Sequence, residues 1–321
     1  MSSPAAEIAR MFGPLLVGGL VSLCLSGMVS SQAFSYFHKS KKGDHSKVQV
    51  TVGIVWILDL IHSCLVGITN WFFLIGNFGD FEVLNHIPLS ASISILVTAM
   101  VTLTVQSFFI RRVLILSKRN WWLCGPLFLL AFARFVSACG ATTIMIREGH
   151  FSNLKLPTFS WVFTFGLVMG SVMDVLVTAS LIFYLRSNRT GFSNMDVIID
   201  TIMFYAINHG TLTCVCTFVS LLFWLFIPHS LAFLGVHFCI TKLYGNSFLG
   251  TLNTRDSLRD RSQGSSTSGE RHQMPVLFPN SRHTYNRYMG GDPTTGTKLE
   301  INVQKTIDCD VEDYSEPNSS K

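Results

Sequence analysis

Charge is what this chain has least of. Of its 321 residues only 13% are Asp, Glu, Lys or Arg, about half the share in an ordinary soluble domain, near 25%. That shortage excludes a water-soluble chain of this size, whose single core has no room for repeated apolar runs of about twenty residues. Cysteine is missing from the loops. Seven of the eight Cys (Cys24, Cys64, Cys124, Cys139, Cys214, Cys216 and Cys239) fall inside apolar runs and Cys309 lies in the polar C-terminal segment, which excludes a loop disulfide. Cys214 and Cys216 are two apart, on nearly opposite faces of a helix and without a His pair beside them, so they read as packing residues rather than metal ligands. The net charge of +5 is spread over loops and interleaved with acids, with no aromatic-rich basic stripe, which argues against nucleic acid as a partner. Also absent are His-Glu-x-x-His, Gly-x-Ser-x-Gly and a glycine loop ending in Gly-Lys-Ser/Thr. The chain therefore reads as no enzyme, with no cofactor and no metal site.

Hydrophobic residues make up 49% of the sequence and include 26 Phe. Stretches long enough to cross a bilayer predict helices at roughly 12–36, 48–76, 89–110, 121–146, 158–185, 198–226 and 229–249, with Pro228 and His229 dividing the last two. The fold class that follows is all-α, a bundle of seven transmembrane helices over about 12–252. A short extracellular N-terminus over about 1–11 precedes it, and a disordered cytoplasmic tail over about 253–321 follows. The first run, about 25 residues long and without a basic leader, reads as a helix rather than a signal peptide. Loops on one side hold Lys39, Lys41, Lys42, Lys47, Arg111, Arg112, Lys118, Arg119, Arg186 and Arg189, against Arg10, Arg147 and Lys155 on the other. The richer side belongs in the cytoplasm, which puts the N-terminus outside and the C-terminus inside. Trp71, Trp121, Trp122 and Trp161 fall near helix ends, where aromatic belts form. The sequons Asn188-Arg-Thr190 and Asn318-Ser-Ser320 then face the cytoplasm and stay unused. Phe248, Leu249 and Leu252 with Arg255 and Arg259 suit either a short helix lying on the membrane surface or a frayed juxtamembrane stretch.

Ionisable groups are costly in hydrocarbon and mark candidate sites. The spans contain Asp59, His62, Arg134, Asp174, His209 and His237. Counting about 1.5 Å per residue from the cytoplasmic ends puts Asp59, Arg134, Asp174 and His209 roughly 16–20 Å deep, in one layer near the midplane. Helical spacing groups Asp59, His62, Ser63, Val66 and Asn70 on one face. It groups Thr98, Thr102 and Gln106 on another, and Gly166, Gly170, Asp174 and Thr178 on a third that combines a close-approach groove with a carboxylate. Gly18, Ser22, Ser26 and Ser30 read as packing alone. The candidate cluster is Asp59, His62, Arg134, Asp174, Asn208 and His209, with Arg134 paired to Asp174 or Asp59 around a small cavity. The alternatives are interhelical polar glue that binds nothing and an ion or proton path. Lys242, four residues after Phe238 where a Schiff-base site would want an acid, reads as a lysine that snorkels to the inner surface.

Several segments taken together carry a family likeness. They are Leu58-Asp59-Leu60-Ile61-His62, Gln106-Ser107-Phe108-Phe109 through Leu116-Ser117-Lys118-Arg119-Asn120, Asp174, Arg189-Thr190-Gly191-Phe192, and Lys242-Leu243-Tyr244-Gly245-Asn246-Ser247-Phe248-Leu249-Gly250-Thr251-Leu252-Asn253-Thr254-Arg255. From the first helix to Arg255 the chain resembles the fungal (basidiomycete) seven-transmembrane family catalogued as domain of unknown function 6534. The resemblance implies a fungal membrane protein and no activity. Function rests on architecture: seven spans and a long cytoplasmic segment suit a receptor-like or sensory protein whose small ligand sits within the bundle. A secondary transporter or proton-coupled channel is the alternative, and a scaffold whose tail recruits a cytoplasmic partner is another. Helix 3 ends Phe109-Ile110-Arg111-Arg112 without an acid before the Arg, and helix 7 lacks Asn-Pro-x-x-Tyr. The lipid bilayer is the partner common to all three readings, and the plasma membrane is the expected location.

Overall fold

The structure, a computed structural model, describes residues 4–39, 46–80, 83, 85–155, 157–187, 193–227 and 230–264. The chain separates into a unit ending at Glu270 and a second unit, Arg271–Lys321; of the disordered tail expected over 253–321, residues 253–264 are helical and the rest lies outside the described residues. Among the described residues there are seven long helices: α1 Pro4–Lys39, α2 Ser46–Trp71, α3 Leu89–Leu116, α4 Trp121–Glu148, α5 Pro157–Ser187, α6 Ser193–Phe226 and α7 Ala232–Gly264. No strand is formed among them; a single isolated bridge joins His86 to His150 between the α2–α3 and α4–α5 loops. The chain is a multi-pass membrane protein, with six helices, α1 to α6, long and apolar enough to cross a bilayer.

Consecutive helices pack side by side from α1 to α7, and α7 closes the ring on α1. The third helix runs through the middle and also touches α5 and α7. Its most apolar window is 61% buried, against 24–33% in the other five membrane-length helices. Small residues make that position accessible: Ser90, Ala91, Ser92, Ser94, Thr98, Ala99 and Thr102 are all buried, and small side chains let neighbouring backbones approach. The α1 and α7 backbones approach closely, where a Cβ on Gly18 would collide with the Gly235 backbone and one on Gly235 would lie 2.5 Å from the Pro14 carbonyl oxygen. Lipid-facing positions carry the large apolar side chains, among them Phe128, Phe132, Phe183 and Phe218, and Trp71, Trp121, Trp122 and Trp161 are exposed near helix ends.

Two apolar cores fill the interior. One contains Val29, Val55, Val105, Ala131, Met173 and Ile240; the other contains Leu15, Val66, Ile95, Ala141, Leu167 and Phe238. On each of these helices the two cores are separated by a gap in the numbering. Ser26, Asp59, His62, Thr98, Arg134 and Gly170 fall in those gaps, and Asp174 lies beside the edge at Met173. A polar seam thus crosses the bundle between two dry layers.

The end of α7 differs from the sequence expectation. The helix runs past Leu252 to Gly264, and Phe248, Leu249 and Leu252 are buried in the core rather than laid on a membrane surface. Asn253 fastens it by donating to the Gln32 carbonyl oxygen on α1 at 2.9 Å. Between Thr251 and Gly264 the sequence has neither Gly nor Pro to stop a helix.

Candidate functional site

The seam is organised by α7. Lys242 and Tyr244 are two residues apart, so their side chains leave the helix in different directions and meet different partners.

On one side, Lys242 is fully buried. Its Nζ lies 3.0 Å from Asp59 Oδ1 on α2 and donates to the Asp59 carbonyl oxygen at 2.8 Å and to Ser63 Oγ at 2.6 Å. Two hydrogen bonds and one ion pair thus surround the ammonium group. The other carboxylate oxygen, Oδ2, accepts from Ser26 on α1, and Ser63 Oγ lies 2.8 Å from Ser26 Oγ. The expectation that Lys242 snorkels is therefore corrected. Its acid partner lies on another helix, α2, which spacing along α7 could not reveal. The serine stripe on α1 is more than packing, because Ser22 donates to the Phe238 carbonyl oxygen at 3.1 Å, Ser26 joins the ion pair, and Ser30 Oγ accepts from Trp56 Nε1 at 3.2 Å. His62 is buried next to this pair, with Nε2 3.4 Å from Thr241 Oγ1; Thr241 in turn bonds Thr98 on α3 at 2.7 Å.

On the other side, the Tyr244 hydroxyl lies 2.7 Å from both carboxylate oxygens of Asp174 on α5 and accepts from Arg134 Nη1 on α4 at 2.9 Å. Arg134 also stacks over the Tyr244 ring, with Cζ 5.5 Å from its centroid. Gln106 Nε2 on α3 donates to Asp174 Oδ1 at 3.4 Å. Arg134 thus reaches Asp174 through a tyrosine hydroxyl. The glycine groove on α5 is what admits it: a Cβ on Gly170 would lie 2.9 Å from Arg134 Cζ, and one on Gly166 would lie 3.1 Å from Ser137 Oγ.

Beside Arg134 the seam opens into a cavity of about 40 Å³, bounded by α3, α4, α5 and α7, with Thr98, Thr102, Arg134, Ser137, Gly166 and His237 in its wall. His237 is 7% exposed, and both ring nitrogens are without a hydrogen-bond partner. Of the predicted cluster, Asp59, His62, Arg134 and Asp174 lie in this seam. Asn208 does not: it is exposed on α6, because α6 turns that face outward. His209 falls on α6 with its side chain outside the described part. Sequence reading missed Lys242 as an ion-pair partner, together with Tyr244, Gln106, His237 and Ser26 as parts of the same seam. Gln106, His237 and Ser26 stood out in the sequence as polar groups within spans but were not joined to the cluster, and the signal for Lys242 and Tyr244 is that they open the Lys242–Arg255 segment that carries the family likeness. Among the described residues no group of three or more His, Cys, Asp or Glu side chains is placed to hold a metal ion.

A family model described as a family of unknown function, DUF6534, matches residues 170–257. This segment belongs to the DUF6534 family. The match is shorter than the likeness, which runs from the first helix. The DUF6534 segment supplies Gly170, Asp174, His237, Lys242 and Tyr244 to the seam, whereas Ser26, Asp59, Gln106 and Arg134 come from before it. No curated protein and no solved structure matches the chain.

Proposed function

We propose that this chain is a receptor-like or sensory membrane protein, fungal in origin, which crosses the plasma membrane seven times and binds a small ligand inside the bundle rather than transforming it. The observation that carries the reading is the cavity beside Arg134, in which a buried histidine with free ring nitrogens faces a guanidinium already tied into a relay. Buried polar groups without partners are uncommon and point to a use. The helix that holds both Lys242 and Tyr244 also continues to Gly264, so a change at the cavity wall has a rigid element to act through. As a seventh span, α7 is less apolar than the other six because it carries polar side chains such as Thr241, Lys242 and Tyr244, and these three are buried in the bundle rather than set against lipid. The surplus of Lys and Arg near one set of helix ends supports an outside N-terminus and a cytoplasmic C-terminus.

The test places a single cysteine at Thr102, on the cavity wall, in a chain otherwise free of cysteine, and adds an impermeant thiol reagent from either side of the membrane. Reaction from one side only is expected of a ligand pocket. Reaction from both sides supports transport instead, and reaction from neither leaves the seam as packing.

A further inference from the structure

We propose that the cavity between α3, α4, α5 and α7 is a binding site for a small carboxylate, an anion of the size of formate or acetate, held by Arg134 and His237. This rests on the reading of the cavity as a ligand pocket and names the ligand class.

Size comes first. A water needs about 10–15 Å³ of space measured this way, so about 40 Å³ takes roughly three water-sized positions. That suits an anion of three or four non-hydrogen atoms. Charge comes next. Arg134 uses Nη1 on the Tyr244 hydroxyl, and a guanidinium carries five N–H donors in a planar fork that matches two carboxylate oxygens. Asp174, the nearest acid, is already engaged by Tyr244 and Gln106. Hydroxyl chemistry points the same way. Thr98 Oγ1 bonds Thr241 Oγ1 at 2.7 Å and lies 2.8 Å from the Ser94 carbonyl oxygen. Thr102 donates to the Ala99 carbonyl oxygen and Ser137 to that of Val162. With those protons committed, the donors left to face the cavity are the Arg134 fork and His237, whose two nitrogens have no partner. The remaining wall is apolar, formed by residues such as Ile95, Ala138, Val162 and Phe163. An apolar wall that also holds a guanidinium and an unpartnered imidazole favours a small anion with one apolar end.

The experiment uses the full chain in nanodiscs and compares sodium acetate and sodium formate with sodium gluconate, which is too large to enter, at matched ionic strength and pH. Acetate and formate are expected to raise Tm by several degrees in a saturable way and to slow thiol labelling of Thr102→Cys severalfold, while gluconate does neither. Ala138→Leu adds bulk to the cavity wall one turn from Arg134 and should abolish the acetate response; where that variant does not fold, His237→Phe serves the same purpose. An acetate response that survives in the variant places the anion elsewhere and overturns the proposal. Labelling at equal rates in acetate and gluconate, with a flat Tm, overturns the carboxylate while leaving a wet pocket. No labelling in either salt, together with a flat Tm in acetate and formate, removes both the carboxylate and the pocket.

Discussion

Two halves of one polar seam face each other across α7, and they are finished differently. The Lys242 half is nearly closed: the ammonium pairs with Asp59 Oδ1 and donates to two further oxygens, Ser26 donates to the second carboxylate oxygen, and the Nδ1 of His62 is left without a partner. On the Tyr244 half, Arg134 is held by one hydroxyl and its neighbour His237 by nothing, with a cavity between them. The same helix thus carries one site built to stay shut and one with donors to spare. On the proposal above, the first serves stability and the second binding.

Breaking the closed half gives the largest expected effect. Lys242→Met strands the Asp59 carboxylate in the interior and should reduce unfolding free energy in mixed micelles by about 3–5 kcal/mol. Adding Asp59→Asn should return most of it, since an uncharged pair needs no counter-ion. A double variant no better than the single one would show that the pair is not the source of the loss. On the open half, Tyr244→Phe removes the hydroxyl that joins Arg134 to Asp174 and should reduce stability by about 1.5–3 kcal/mol, the range for hydrogen bonds to charged groups. The same variant should raise thiol labelling at Thr102→Cys, because the freed guanidinium can swing.

Smaller effects sharpen the contrast. Gly170→Ala pushes a Cβ against Arg134 Cζ; since that is the end of a flexible side chain, the loss should be about 1 kcal/mol, the low end for overpacking. Its sign of success is a weakened acetate response, with the Lys242–Asp59 pair untouched. At the bottom of the scale, Asn208→Leu on the outer face of α6 should change stability by no more than about 0.5 kcal/mol. A loss comparable with that of Tyr244→Phe would return Asn208 to the seam.

How much of this was legible in the sequence depended on whether the signal ran along one helix or between helices. Apolar runs gave the helices to within a few residues at most ends, because length and hydrophobicity are properties of a single segment. Asp59, His62, Arg134 and Asp174 stood out for the same reason, since each is a polar group in hydrocarbon. Their partners did not. Asp59 finds Lys242 across 183 positions, and Arg134 finds Tyr244 across 110, distances that no spacing rule covers. Asn208 and Arg134 look alike in sequence, and only the rotation of α6 separates them. The groove through Gly166 and Gly170 could be read from its step of four, but its occupant, the guanidinium of Arg134, comes from the neighbouring helix.

The most direct test of the closed and open halves is a side-by-side rate comparison, with Ser63→Cys and Thr102→Cys each placed in the cysteine-free chain and exposed to the same water-soluble thiol reagent. The account requires Thr102→Cys to react at least about tenfold faster than Ser63→Cys, a difference of about 1.4 kcal/mol in access. Equal rates at the two positions, whether both fast or both negligible, would contradict it.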